Sequence, residues 1–259
     1  MKNVVTYMLL GSTVSAFAGN EPLVVVDEFA GLRDLAADRP DATESPITVD
    51  KGHWQIETSA VDYTKDFDFQ SWTWAETNLK YGVTDSMDIQ FVFAPYIEEN
   101  NDGVIEDGAS DLTIRVKYNL WGNDGGQSAL ALFPYVKAPI GGSLSNDEWE
   151  GGFILPYAYE INEKWGFGCQ LEWEYVYNED KDGYDSNLLH TAVLGYALTD
   201  AWGMYVEYLG ITGSEYQAHA SGGLTYGVTE FFQLDLGAVV GLNDAATDLN
   251  AFTGFTVKF

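Results

Sequence analysis

Cysteine is almost missing from this 259-residue chain: Cys169 stands alone, so no internal disulfide and no CxxC metal or redox motif can form. Histidine is scarce too, and His53, His190 and His219 are too scattered for an HxxxH zinc pair. Basic residues are few. Twelve Lys and Arg stand against 40 Asp and Glu, a formal charge of −28, which repels nucleic-acid phosphates and anionic head groups. Beyond residue 51 there is also no run of about 18 uncharged apolar residues, which excludes helical membrane spans. Disorder is excluded by what is abundant. The chain is 46% hydrophobic and carries 8 Trp, 16 Tyr and 14 Phe, enough burial to offset the entropy of chain ordering. Twenty-seven Gly among frequent Val, Thr, Tyr and Trp favour an all-β domain.

The first residues read as an export signal. Lys2 precedes the apolar stretch Val4 to Val14, and Ala16-Phe17-Ala18 is the small-x-small pattern of a signal peptide spanning 1–18. That stretch is too short to cross a bilayer as a helix, which needs about 20 residues. Cys169 then reads as a small apolar filler.

Further along, the apolar pattern has a period of two. Leu112, Ile114, Val116, Tyr118 and Leu120 alternate with Asp111, Thr113, Arg115, Lys117 and Asn119. Trp165 to Tyr177 and Phe232 to Val240 repeat the rule, and successive strand side chains point to opposite faces. Runs of about 12 residues exceed ordinary soluble strands and suit tilted membrane strands of about 9–11. The reading is an all-β, transmembrane, antiparallel up-and-down β-barrel of about 12 strands over residues 52–259, in the outer membrane of a Gram-negative-type bacterium. Short connections such as Val83-Thr84-Asp85 and Val228-Thr229-Glu230 alternate with long ones such as Glu98 to Ala109 and Gly141 to Glu150, which puts both barrel ends in the periplasm. Tyr81, Trp121, Trp165, Trp202, Phe231 and Phe259 then form a periplasmic girdle, and Tyr96, Trp149, Tyr177, Tyr208 and Tyr216 an outer one.

Three places fit badly. Leu188 to Leu198 alternates poorly and leaves the facing of His190 open. The parity that turns Leu79 and Tyr81 outward turns Trp72 and Trp74 inward, unless a bulge intervenes or the pair stands above the membrane. Pro134 and Pro156 fall inside neighbouring strands, which predicts a bulge or local weak pairing.

Residues 19–51 precede the barrel as a periplasmic arm or a lumen plug, with a possible short helix from Val26 to Ala37. Then come Asp38-Arg39-Pro40-Asp41-Ala42-Thr43-Glu44-Ser45-Pro46 and Lys51-Gly52-His53-Trp54-Gln55-Ile56-Glu57. Arg39 amid Asp38, Asp41 and Glu44 reads as a turn held by local ion pairs and stiffened by the two prolines. This block resembles the entry of the outer-membrane transporter family named for the meta-pathway of phenol degradation. The resemblance rests mainly on residues 38–57, with Asp38, Arg39, Pro40, Asp41, Thr43, Glu44, Ser45 and Pro46 as its motif. It implies transport of aromatic catabolites only by association with the family's name. The chain also finishes on Phe259 after an alternating strand, resembling the terminal signal read by the barrel-assembly machinery.

Parity assigns Arg115, Lys117 and Lys137 to one side of the pore, and Glu172, Glu174, Glu207 and Asp235 to the other, with Glu57, Asp111 and Glu160 also inward. Such a lumen carries either a transverse field that orients dipolar solutes or charges that pair and solvate a wet interior. It is net acidic and should disfavour anions except along Arg115, Lys117 and Lys137. His219 and Ser221 share a face, but that face is the lumen, which argues against a lipid-cleaving Ser-His system. The acidic segments Glu98 to Gly103 and Asn178 to Gly183 lack the EF-hand pattern and read as solvated loops, with divalent ions able to bridge them to lipopolysaccharide. Neither enzyme activity nor a cofactor or metal is expected. The expectation is a channel or transporter for small-molecule solutes, with outer-membrane lipid and lipopolysaccharide as surroundings. The alternative is a structural or adhesive barrel acting through its extracellular loops.

Overall fold

The alternation along the chain produces a wall with its greasy side outward. In the computed structural model, which describes residues 31–259, the strands are β1 (Trp54–Asp66), β2 (Phe69–Thr84), β3 (Met87–Phe93), β4 (Tyr96–Asn101), β5 (Val104–Gly108), β6 (Leu112–Trp121), β7 (Ser128–Ala138), β8 (Glu150–Asn162), β9 (Trp165–Asn178), β10 (Gly183–Ala197), β11 (Trp202–Thr212), β12 (Tyr216–Thr229), β13 (Phe232–Gly241) and β14 (Leu249–Lys258). Every pairing between them is antiparallel. β1 pairs with both β2 and β14, which closes the sheet into a barrel; only β5, in the protruding hairpin β4–β5, keeps a side without a strand partner among the described residues. β3 and β4 both pair with β2, one after the other, and so form two halves of one barrel strand interrupted at Ala94-Pro95; β5 and β6 pair with β4 and β3 in turn and form the two halves of the next strand, interrupted over residues 109–111. The barrel therefore has twelve staves. The signal peptide 1–18 lies outside the described residues, as do residues 19–30.

Burial runs opposite to that of a water-soluble protein. Leu171, Val206 and Leu236 are about half exposed, while Lys80, Lys117, Asp88 and Gln90 are at most 1% exposed. Apolar side chains thus point to lipid and charged ones to the interior, as a membrane barrel requires. Aromatic pairs cross neighbouring strands at the short-turn end: Trp54 with Tyr81 (4.6 Å), Trp165 with Tyr196 (4.6 Å) and Trp202 with Tyr226 (4.7 Å). Each pair keeps a broad ring at the level where one side is wet.

The misfits have local causes. Ala60 shifts the register of β1 on β14, and Ala75 opposite it on β2 takes a left-handed backbone (φ +54°). Parity changes there, so Trp72 and Trp74 face outward, stacked at 6.0 Å, with Tyr63 beside Trp72 at 4.5 Å. His190 also faces outward, between the rings of Tyr208 and Tyr216. No bulge separates the two prolines, because the β7–β8 register is the same on both sides of the gap. Instead the ladder is interrupted: Ala131 and Leu132 drop out opposite Pro156, and Phe133 and Pro134 drop out of the β6–β7 ladder. Each proline lacks the donor that rung requires.

Two further expectations are corrected. The supposed loop Glu98 to Ala109 is mostly the hairpin β4–β5, turned by Asp102 and Gly103, both with positive φ, which suits a two-residue turn. In the expected helix Val26 to Ala37, the described residues 32–37 make no helical turn, because wall side chains engage their peptide groups instead.

Candidate functional site: the lumen and the arm inside it

Residues 32–50 have no strand partner, yet most are at least partly buried. A buried, irregular backbone must find its hydrogen bonds elsewhere. Here the inward faces of the strands supply them. Glu57 on β1 accepts the Asp38 amide with both oxygens (3.1 Å each), Glu207 on β11 accepts that of Ala42 (2.9 Å), and Gln170 on β9 accepts that of Glu44 (2.7 Å). Asn123 accepts the Thr48 amide (2.9 Å) and Asp88 on β3 that of Val49 (3.0 Å). Pro40 and Pro46 fall within this stretch and have no amide to satisfy. Carbonyls are met from the other side of the inventory: Gln55 donates to Ala36 O (2.9 Å), Asn119 to Pro46 O (2.8 Å), and Lys258 to Asp34 O (3.2 Å). Much of the acidity inside the barrel thus serves as acceptors for one segment of main chain.

Ion pairs add a second set of anchors. The Asp38 carboxylate takes Lys117 Nζ on β6 (2.7 and 3.0 Å) and Lys80 Nζ on β2, with Arg115 at 3.9 Å and the Ser45 amide at 2.9 Å. Lys80 also binds Glu57. Arg115 holds Glu44 (2.8 Å), and its guanidinium lies 4.7 Å from the Phe133 ring centroid. Across the lumen, Arg39 forks onto Asp235 of β13 (3.2 and 2.7 Å), and Thr43 donates to Glu207 (2.6 Å) beside Thr191 of β10. At the arm's two ends, Arg33 reaches Thr48 O and Asp85 O, and Lys258 pairs with Asp50 (3.0 Å).

The two acidic residues nearest the arm's turn are driven in opposite directions. Burial alone would raise Asp38, but Lys117, Lys80 and Arg115 outweigh it and hold the carboxyl well below the usual range. Asp41 has no such partners, and burial, with Glu207 next and then Asp38 and Glu57, pushes it up to about 8. The raised value means that the docked arm keeps a proton that the released arm gives up near 3.8. Asp41 therefore favours docking at low pH, and that contribution is lost as pH rises from about 4 through 8. Asp41→Asn should dock more tightly than the parent at pH 8. In a Cys169→Ser background, maleimide labelling of the thiol introduced by Thr43→Cys should slow about tenfold or more at pH 8 and little at pH 4.5. Equal rates at pH 8 would refute this assignment.

Several expectations about single residues change. Arg39 is not held by Asp38, Asp41 and Glu44; each of its strong contacts is to the wall. Of the basic residues, Arg115 and Lys117 converge on the arm's carboxylates, while Lys137 sits apart near the β7–β8 loop with Asp111 (3.2 Å) and Glu150 (2.8 Å). On the acidic side, Glu57, Glu207 and Asp235 bind the arm, whereas Glu172 accepts Tyr135 Oη (2.8 Å) and Gln170 (3.1 Å). Glu174, Asp62 and Glu76 face the same space, and among the described residues none of these four has a lysine or arginine within ion-pair distance. His219 and Ser221 both face inward, but Ser221 bonds Tyr205 (3.1 Å) rather than the histidine. Among the described residues no group of three His, Cys, Asp or Glu is placed to hold a metal ion. Lys80, Asp88, Gln90 and Gln170 were missed as site residues, although Lys80 lies between outward Leu79 and Tyr81 and parity alone turns it inward.

A family model described as "Putative MetA-pathway of phenol degradation" matches residues 37–259. Among solved structures, an outer-membrane channel from Pseudomonas putida F1 is similar at 15% identity, covering 86% of this chain and 100% of that one with a TM-score of 0.62. The KdgM porin is similar at 9% identity, covering 77% and 98% with a TM-score of 0.52. No curated protein sequence matches.

Proposed function

The chain belongs to this phenol-degradation-pathway family, and from that premise we propose that it is an outer-membrane channel for small molecules whose passage is controlled by the arm, residues 32–50. The observation that carries the reading is the arm's set of hydrogen bonds and ion pairs to inward residues of β1, β2, β3, β6, β9, β10, β11, β13 and β14. A segment bonded to so many staves lies across the lumen, and a solute can pass only when it moves. The two similar structures are named as a channel and a porin, which supports the same class. The carboxylates Asp62, Glu76, Glu172 and Glu174 line the space around the arm and favour cations there. Phe259 lies at the β1–β14 seam, where its amide donates to Trp54 O (2.9 Å) and its carbonyl accepts the Trp54 amide (2.8 Å). That position suits a terminal signal for the assembly machinery. The family's name and the two similar structures point to transport rather than catalysis.

The purified full-length chain in planar lipid bilayers is expected to give discrete current steps above bare lipid, with a reversal potential in a salt gradient that reports cation preference. Absence of any step from correctly folded protein, both as the parent and with the arm released by Asp38→Asn, would instead favour a closed barrel acting through its extracellular loops.

A further inference from the structure

The chain spends its few cations unevenly. Of 12 Lys and Arg, three converge on one patch of lumen wall: Lys80 from β2, and Arg115 and Lys117 from β6, on strands flanking β3. Lys80 and Lys117 side chains are 1% exposed and Arg115 14%. Beneath them Phe133 of β7 is fully buried, its ring centroid 4.7 Å from the Arg115 guanidinium and 4.8 Å from Lys117 Nζ. One wall anion, Glu57, reaches this cluster, through Lys80. The wall patch alone therefore carries three positive charges and one negative, a net of two positive. The two missing negative charges come from the arm, as Asp38 on the lysines and as Glu44 on Arg115; burial pushes the Glu44 carboxyl up to about 8 against the pull of Arg115, so its charge counts in full only above that pH.

We propose that Lys80, Arg115 and Lys117 form a binding site for small dicarboxylates, which the arm's Asp38 and Glu44 occupy until a solute displaces them. This rests on the reading of residues 32–50 as a plug. Three cations cannot be left bare in a partly dry lumen, because an unpaired buried charge is far more costly than a paired one. The arm can leave readily only if equivalent charge takes its place. A dianion restores neutrality as the arm does, whereas a monoanion leaves one positive charge unmatched. The fork of Arg115 suits a carboxylate by geometry, and the Phe133 ring gives the carbon skeleton of the solute an apolar floor. Withdrawal of the arm has a second effect: Asp235 loses Arg39, and Glu207 loses Thr43 and the Ala42 amide. The basic patch then faces bare carboxylates across the ring, so the transverse field expected from parity belongs to the state with the arm out. Binding of dianion and docking of the arm are thus mutually exclusive, and each must weaken the other by the same factor.

The test uses the full chain with Cys169→Ser and Thr43→Cys in liposomes, with maleimide labelling of the introduced thiol as the measure of arm release. Succinate should speed labelling about tenfold relative to acetate or chloride at equal ionic strength. Asp38→Asn with Glu44→Gln, which leaves the wall intact, should label fast without succinate. Arg115→Gln with Lys117→Gln should lose the succinate response, with heat-modifiable gel mobility checking that the barrel is folded. If succinate matches acetate while the arm variant still labels faster than its parent, the dicarboxylate site is wrong and the plug stands. If the parent already labels as fast as the arm variant, the plug reading falls and the site falls with it.

Discussion

Asp38→Asn is expected to raise the open fraction of the channel by about 10²-fold to about 4 × 10³-fold. Asp38 is the residue on which the arm's contacts converge: it takes Lys117, Lys80 and the Ser45 amide, and lies 3.9 Å from Arg115. Removing one partner from a buried ion pair costs about 3–5 kcal/mol, because the remaining charge is left uncompensated. At about 1.4 kcal/mol per factor of ten, that cost gives the stated range. Asparagine keeps the shape and can still accept hydrogen bonds, so the effect isolates the charge. The barrel wall itself should be unaffected, since Lys80 keeps Glu57 and every stave keeps its ladder.

The second large effect concerns the opposite wall. Arg39→Glu would bring a carboxylate against Asp235, whose side chain is fully buried, and should open the channel to a similar degree. Adding Asp235→Arg should recover most of the closed behaviour, because the same gap is again bridged by opposite charges. The site is built for this contact. A Cβ at Gly254 of β14 would lie 2.1 Å from the Thr58 carbonyl oxygen of β1 and 2.6 Å from Arg39 Nη2, so the close approach of the two strands requires glycine, and its bare face also leaves the guanidinium room. Current through the double variant equal to that of Arg39→Glu alone would mean that this pair does not hold the arm. The two arm sites are also expected to be non-additive: once Asp38→Asn has released the arm, Arg39→Glu has little left to break.

How much of this could be read from residues in a row depends on whether parity carried the information. The period of two in Leu112 to Leu120 gives strand, facing and membrane character together, and it turns Arg115 and Lys117 to the face on which they meet Glu44 and Asp38. The same rule turns Lys80 inward. Parity fails where the backbone changes hand, and nothing about Ala60 or Ala75 announces a shift, since alanine is no bulge signal; hence the ambiguity of Trp72 and Trp74. Prolines 134 and 156 were legible as missing donors, but their effect is a gap in each ladder rather than an inserted residue, because the register is held above and below by intact rungs. The arm was least legible. Proximity in sequence pairs Arg39 with Asp38, Asp41 and Glu44, yet its partner is Asp235, 196 positions away. Only a folded barrel brings that carboxylate within reach, and Asp38 is taken by β2 and β6 for the same reason. The acidity of the lumen was legible as a charge; its use as a row of acceptors for Asp38, Ala42 and Val49 amides was not, because it depends on an irregular segment lying inside.

The central claim is that residues 32–50 close the lumen by lying in it. The most direct measurement is the current through Asp38→Asn protein that also carries Thr43→Cys, Thr191→Cys and Cys169→Ser, oxidised and then reduced in the same bilayer. Thr43 and Thr191 hydroxyls meet at 2.5 Å in the docked arm, so a disulfide between the introduced thiols would pin the arm to β10. A closing arm predicts low current when oxidised and a rise of about 10²-fold or more on reduction. The same current before and after reduction, with the disulfide verified, would contradict it.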